Sequence, residues 1–253
     1  MSTNSTPIYE IENEAERLNA YYDIAGNHIR GVLERECPSI EGWLHTVAAF
    51  AIPLINSYQE LHRISGSVAE IGVWHGKTFV LFSYLLASNE MLVGFDIDIK
   101  SEANTNLQSR CSHKESCLLV QADSMTLKPA TMQSHLLSMP RIFHVDGYHS
   151  FSVALNDLRL AFESTSEAGV IIVDDFFSAT VPGVTDAFYK LSYEKHNNGF
   201  VPFALGGGKV FLCQEKLVSE YSEYLLKFMP VKPRIGEEVD YMLGNRIAIF
   251  EME

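Results

Sequence analysis

The chain is poor in basic residues: 19 Lys and Arg stand against 32 Asp and Glu, for a formal net charge of −13. Such a field repels a phosphate backbone, and no local basic patch offsets it, which argues against nucleic acid as a partner. Cysteine is scarce as well. Cys37, Cys111, Cys117 and Cys213 include no C-x-x-C pair. Neither a structural zinc site nor a disulfide framework is expected, and free thiols suit a reducing cytoplasm. No apolar run is long enough for a bilayer, since the longest, around "TVAAFAIPLI", is short and contains Pro53. The N-terminus "MSTNSTPIYEIENEAE" is polar and acidic, unlike a secretory signal. Internal repeats, low-complexity tracts and long linkers are lacking. What remains is ordinary globular composition, 47% hydrophobic and 20% charged over 253 residues. The expectation is a soluble, cytoplasmic protein of one sizeable domain with appendages.

Residues 8–63 read as helical, with Tyr9, Ile11, Ala15, Leu18 and Tyr22 near the helical period and a second segment from about Ile40 that Pro53 kinks or restarts. From Val68 the texture changes. The short apolar runs "VAEI", "MLVGFDI", "CLLVQAD", "RIFHVD" and "GVIIVDD" alternate with helix-like stretches at 77–88, 100–110, 125–137 and 150–163. This β-α repetition predicts a parallel sheet covered on both faces. Further on come a helix over 183–195, a hairpin in "FVPFALGGGKVFLC", a helix over 216–229 and a terminal strand in "NRIAIFEME". The triple glycine and Lys209 read as the hairpin's tight turn. The division expected is an N-terminal helical segment, 1–63, that lids the substrate or forms a subunit interface, and a ligand-binding domain, 64–253.

The stretch "VAEIGVWHGKTFVLF" looks at first like a phosphate-binding P-loop. That loop needs four residues between its first glycine and Gly-Lys, whereas only Val73, Trp74 and His75 separate Gly72 from Gly76. An NTPase is therefore disfavoured, and Lys77 reads as a surface or helix-start lysine. The pattern left is E-x-G-x-x-x-G, from Glu70 to Gly76, in which the glycines let the chain turn sharply while a ligand approaches the backbone. Asp96 ends the next strand, placed for a ribose diol, and Asp123 and Ser124 end the following one, on the adenine side. The plainer alternatives are a helix N-cap for Asp96, a solvated turn for Asp123 and Ser124, and packing for Trp74. Together they describe a nucleoside site without a phosphate cradle.

These motifs resemble the class I S-adenosylmethionine-dependent methyltransferases. More narrowly, "EGWL", "EIGVWHGKT", "VDGYHSFSVALNDL" and "GVIIVDDF" are similar to methyltransferase domain family 24 and to metal-dependent O-methyltransferases of antibiotic sugars, over roughly Ile40 to Cys213. The resemblance implies a Rossmann-like α/β fold with a seven-stranded, mostly parallel sheet whose last strand is antiparallel. It implies S-adenosylmethionine as cofactor, held by Glu70, Gly72, Val73, Trp74, Gly76, Thr78, Asp96, Asp123, Ser124 and Asp146.

A second constellation is "FHVDGYHS" followed by "VIIVDDFF". If these are neighbouring strands, their ends lie about 4.8 Å apart. Asp146, Asp174 and Asp175 then crowd together, and a hard divalent cation, Mg2+ above all, would relieve their repulsion. Successive strand residues face opposite sides, so Asp174 and Asp175 can share one ion only if the strand ends there. His149, three residues past Asp146, is placed to take the proton of an acceptor hydroxyl. In the resembled family a D-x-x-H segment and an acidic pair carry metal and base roles, which match Asp146, His149, Asp174 and Asp175. The alternative is a metal-free site in which the acids cap helices or bind cofactor and His149 is structural.

The expected function is O-methylation of a small-molecule hydroxyl, of a sugar or other natural product, by a homo-oligomeric enzyme that touches neither nucleic acid nor membrane. A non-catalytic nucleoside-binding scaffold and an N- or C-methyltransferase without metal are the rival readings.

Overall fold

The computed structural model describes residues 6–234 and 241–251. Residues 1–5 and 252–253, the ends of the N-terminal segment and of "NRIAIFEME", lie outside the described residues. Three helices lead the chain: α1 (Glu14–Ala25), α2 (Asn27–Gly31) and α3 (Thr46–Leu61). Asn13 caps α1 by accepting from the Glu16 N–H at 3.1 Å, and Glu14 and Glu16 place negative charge at its positive end. α3 runs through Pro53 unbroken. It begins at Thr46, not at Ile40, after an irregular stretch.

The alternating region then follows: β1 (Ser67–Ile71), α4 (Lys77–Ser83), β2 (Leu92–Asp96), α5 (Ser101–Arg110), β3 (Cys117–Gln121), α6 (Pro129–Gln133), β4 (Pro140–Val145), α7 (Phe151–Ser164), β5 (Val170–Val173) and α8 (Gly183–Tyr193). The remainder is β6 (Phe200–Gly206), β7 (Lys209–Gln214), α9 (Val218–Phe228), β8 (Pro233–Arg234), β9 (Tyr241–Met242), β10 (Asn245–Arg246) and β11 (Ala248–Phe250). Two helices are shorter than their apolar patterns predict. α4 stops at Ser83, where the Tyr84 and Leu85 N–H groups turn to the Leu81 and Phe82 carbonyls, three residues back, and tighten the last turn. α6 starts late because Lys128, preceding Pro129, is held extended at φ −115, ψ 153.

β1 to β5 pair in parallel, β7 lies antiparallel between β5 and β6, and the hairpin turns at Gly207 and Gly208, both at positive φ (61 and 73). The expected antiparallel strand is thus present. The expected strand count is corrected: among the described residues the main sheet has nine strands, ordered β3-β2-β1-β4-β5-β7-β6-β11-β8. The surplus is β11 and β8, which cover the edge that β6 would otherwise leave unpaired. Among the described residues no helix is long and apolar enough to cross a membrane.

Each sheet face has its own core. Val68, Ile142, Ile172 and Phe211 face α3, α4 and α9 together with Tyr21, Tyr22 and Ile29 of the N-terminal helices, so those helices share the core with the sheet. Ala69, Val93, Phe143, Ile171 and Leu212 face α7 and α8. At the sheet edge away from the strand ends, Arg141 is 1% exposed and its guanidinium is bonded to both Glu90 oxygens, at 2.8 and 2.7 Å, to Gln59 Oε1 and to the Leu85 carbonyl. This cluster ties α3, the α4–β2 turn and β4 together. Burial raises the Glu90 carboxyl, but Arg141 and the Ala87 and Gly66 N–H groups outweigh it and hold the pKa below the usual value. Glu90→Ala leaves Arg141 buried without its counter-ion and is expected to cost about 3–5 kcal/mol in denaturant unfolding. Because the native pKa is depressed, the stability Glu90 adds is present at neutral pH and is lost as pH falls through that pKa.

Candidate active site

Hydrogen bonds between successive strand ends set the floor of the site. Gly72 N–H donates to the Phe95 carbonyl (2.9 Å), Asp146 N–H to that of Ile71 (2.8 Å) and Asp174 N–H to that of Val145 (3.0 Å). The residues leaving β1, β2, β4 and β5 therefore emerge side by side. Gly72 is at φ 85, and a Cβ there would overlap the Asp146 backbone carbonyl, so only glycine lets the two loops meet. Gly76 is also at φ 85 and caps α4.

Asp96 holds the glycine loop shut. Its Oδ2 accepts from the Val73 and Trp74 N–H groups at 2.8 and 3.0 Å, and its Oδ1 accepts from Asp98 N–H at 3.0 Å. It does not cap α5, whose N-cap is Lys100. Trp74 sits at φ 50, half exposed, stacked on His75 and under the Lys100 ammonium, while Val73 and Thr78 are buried. Asp123 caps the turn after β3 by accepting from Met125 N–H at 2.9 Å, and Asn156 of α7 donates to the Ser124 carbonyl at 2.8 Å. The whole expected loop set lies along one edge of the sheet.

The acids converge as strand alternation dictates. Glu70 on β1 is in register with His144 on β4, two residues before Asp146. Asp174 follows Ile172, and Lys209 precedes Phe211, both core residues of that same face. One ligand atom from each of His144, Asp146 and Asp174 lies within 4.8 Å of the others. Among them stands an ammonium: Lys209, 1% exposed, has its Nζ 2.6 Å from Asp174 Oδ2 and 3.1 Å from His144 Nε2. A lysine only donates, so His144 Nε2 accepts and its Nδ1 carries the hydrogen bonded to Glu70 Oε1 at 2.8 Å. Burial, then Lys209, push the His144 pKa well below the usual imidazole value. Burial likewise raises Glu70 well above the carboxylate range, and its Oε2 is buried without a partner. Asp146 is pushed up to about 6, first by burial. Asp174 stays below its ordinary value because Lys209 and His144 outweigh its burial.

Asp175 leaves this group. The strand ends at Val173, and Asp175 sits at φ 53, which turns its carboxylate to His149, with Oδ2 at 3.1 Å from Nε2. Asp146 Oδ1 lies 3.5 Å from the same nitrogen. The hydrogen bond that His149 donates to Asp146 raises its pKa, against its own burial and with help from Asp175. Beneath the loop, Asp157 of α7 is buried with both oxygens unpartnered and its pKa pushed up to about 6 by that burial. It lines a cavity of about 10 Å³, room for one water, with Tyr148, His149 and Asp174.

The cofactor and the metal fare differently in this arrangement. Glu70 Oε2 is an orphaned polar atom below a loop whose glycines admit close approach, which fits a nucleoside cofactor. Mg2+ on Asp146, Asp174 and Asp175 does not fit. Asp174 Oδ2 is already bonded to Lys209, and Asp175 is turned to His149. A dication beside a buried ammonium would also be repelled by about 8 kcal/mol, twice the roughly 4 kcal/mol of unit charges 4 Å apart at an effective dielectric of 20.

Three residues of the site escaped the sequence reading. His144 was findable, since it stands two before Asp146 and so shares its face. Lys209 was hidden by the glycines before it, although "KVFLC" sets it at even spacing from the apolar Phe211 and Cys213. Asp157 carried a signal too, as a lone acid among the apolar positions of α7.

A glycine loop after β1, acids after the following strands and the order 3-2-1-4-5-7-6 within the sheet define a Rossmann-like nucleoside-binding enzyme fold. Residues 69–176 match the family model described as methyltransferase domain. The enzyme class expected from the sequence, S-adenosylmethionine-dependent methyltransferase, is the one this domain defines. Among solved structures the chain is similar to the TDP-rhamnose 3'-O-methyltransferase of calicheamicin biosynthesis, at 13% identity and a TM-score of 0.53 over 81% of this chain and 97% of that one. It is also similar to the O-methyltransferase NovP, at 14% identity and a TM-score of 0.50 over 80% and 99%. A third is the MycE methyltransferase of the mycinamycin pathway, solved with Mg and SAH, at 16% identity and a TM-score of 0.52 over 81% of this chain and 63% of that one. No curated protein sequence matches closely enough to count as a relative.

Gly72→Ala is expected to cost more than the roughly 1–2 kcal/mol of a left-handed residue, because the Asp146 backbone must also move. Thermal unfolding by circular dichroism checks this, with Gly208→Ala, where an added Cβ meets nothing within 4 Å, as the milder control.

Proposed function

We propose that the protein transfers a methyl group from S-adenosylmethionine to a hydroxyl of a small molecule, with His149 as general base. The observation that carries this is His149 itself, bracketed by Asp146 and Asp175 at the strand edge that also bears the glycine loop. Gly72 to Gly76, Asp96 and the Asp123–Ser124 turn would hold the cofactor, which would supply an electrophilic methyl group and leave as the neutral thioether S-adenosylhomocysteine. His149 accepts the acceptor's proton, and the two carboxylates stabilise the imidazolium that results. Glu70, His144 and Lys209 fix the strand ends, and alignment of the acceptor supplies the rest. No step passes through a metal. The similar structure named as a TDP-rhamnose 3'-O-methyltransferase of calicheamicin biosynthesis supports a small acceptor.

The N-terminal helices support a role in acceptor binding. A cavity of about 390 Å³, within the range of small-molecule sites, is walled by Leu18, Tyr22, Leu33, Cys37, Phe50 and Lys77, the last adjoining Gly76.

Calorimetric titration with S-adenosylhomocysteine tests the reading first; absence of binding would sink it. With an acceptor found by screening natural-product alcohols and sugar nucleotides, His149→Ala is expected to lower kcat by about 10²–10⁴ with cofactor affinity retained. Retention of full activity would leave a different base or none. The base works only when neutral, and its pKa is raised. Activity should therefore climb with pH through a titration above the ordinary imidazole value of about 6.5. Asp175→Asn removes a negative neighbour and is expected to move that limb to lower pH in a kcat–pH profile.

A further inference from the structure

We infer that Lys209 is the resident cation of this site: its ammonium takes the place a divalent metal would occupy between the acids, so the protein works without one. The inference takes its functional meaning from the methyl-transfer reading, but its structural basis is independent. Lys209 opens β7, and the strand's alternation sends its side chain to the sheet face shared by Glu70, His144 and Asp174, where water does not reach it. There its Nζ meets two of the three groups that could ligate an ion: Asp174 at 2.6 Å and His144 at 3.1 Å. The third, Asp146, is engaged with His149 at 3.5 Å.

Three features favour the ammonium over a metal. First, the ammonium already uses the atoms an ion would need, since Asp174 Oδ2 and His144 Nε2 are both bonded to its Nζ, so a dication could enter only by displacing it. Secondly, the other charged groups near the lysine, Glu70 and Asp146, are acids whose crowding its ammonium also offsets. Thirdly, Asp175, which could have strengthened a cation's hold, is committed to His149 by its own backbone turn. Lys209 thus neutralises Asp174 and fixes the hydrogen bonding of His144, which in turn orients Glu70 under the glycine loop. It is a positioning residue.

The test is a calorimetric titration with MgCl2, and separately MnCl2, of the cofactor-free protein, its Lys209→Met variant and the Lys209→Met, Asp174→Asn double variant, with melting followed with and without chelator. Wild type is expected to show no saturable heat and a melting temperature unchanged by chelator. Lys209→Met is expected to gain single-site metal binding, at least about tenfold tighter than any wild-type signal, and to melt higher with metal; the double variant loses both. Saturable binding by wild type that Asp174→Asn weakens would overturn the inference, and so would a folded Lys209→Met that binds no metal. Should Lys209→Met fail to fold, the wild-type titration against Asp174→Asn decides alone. None of these readings needs the transferase activity, so a failure to bind S-adenosylhomocysteine would strike the proposed function and leave this result readable.

Discussion

Acids that end neighbouring parallel strands are brought within about 5 Å of each other whether or not their charges agree. That constraint organises the site. Asp146 and Asp174 leave β4 and β5 on the same face, next to Glu70 and His144, and so many acids in so little water need a counter-charge. The structure supplies it from the chain. Lys209 reaches across from the antiparallel strand, and its ion pair with Asp174 is also what keeps that acid ionised while Asp146 and Glu70 are pushed toward their protonated forms. A buried ion pair of this kind adds little net stability, yet losing either partner is costly. Its value lies in fixing one arrangement of a crowded edge.

Much of the architecture was legible because parallel strands buried on both faces are continuous apolar runs, as β1, β2, β4 and β5 are, while the half-exposed edge strand β3 still shows as the apolar run "CLLV". Helix ends were less legible. They turn on contacts made at a distance, as when Glu90 folds toward Arg141 and holds the Ala87 N–H in the turn after α4. Of the two strands added beyond β6, β11 falls in the expected terminal strand "NRIAIFEME", whereas β8, two residues long and existing by pairing with β11, could not be anticipated. In the site, spacing revealed Asp146, His149, Asp174 and Asp175 but not how they divide. The turn at Asp175, a non-glycine residue at φ 53, breaks the alternation that spacing arguments assume. It splits the acidic pair between two tasks: Asp174 to Lys209, Asp175 to His149.

Lys209 shows why a local motif can mislead. "GGGK" does form a tight turn, and at the level of local structure nothing more was needed. The face on which the lysine falls is decided by where the turn ends and β7 begins, and that fixes its burial and its partners. A single residue's difference in register would have sent the same side chain to the opposite face.

Asp96 presents the same tension between support and recognition. A carboxylate offers about four acceptor positions. Here backbone N–H groups of Val73, Trp74 and Asp98 take three of them. What is left for a ribose is a single position on Oδ1, so one sugar hydroxyl can be recognised without opening the loop. Removing the carboxylate would therefore free two N–H groups at the loop's apex as well as the proposed ribose contact, and the two losses cannot be separated by deleting the side chain. Asparagine keeps one acceptor oxygen. Turned toward Val73 and Trp74, that oxygen would preserve the loop and place an amide, a donor, where the sugar needs an acceptor, so the two roles come apart only in that substitution.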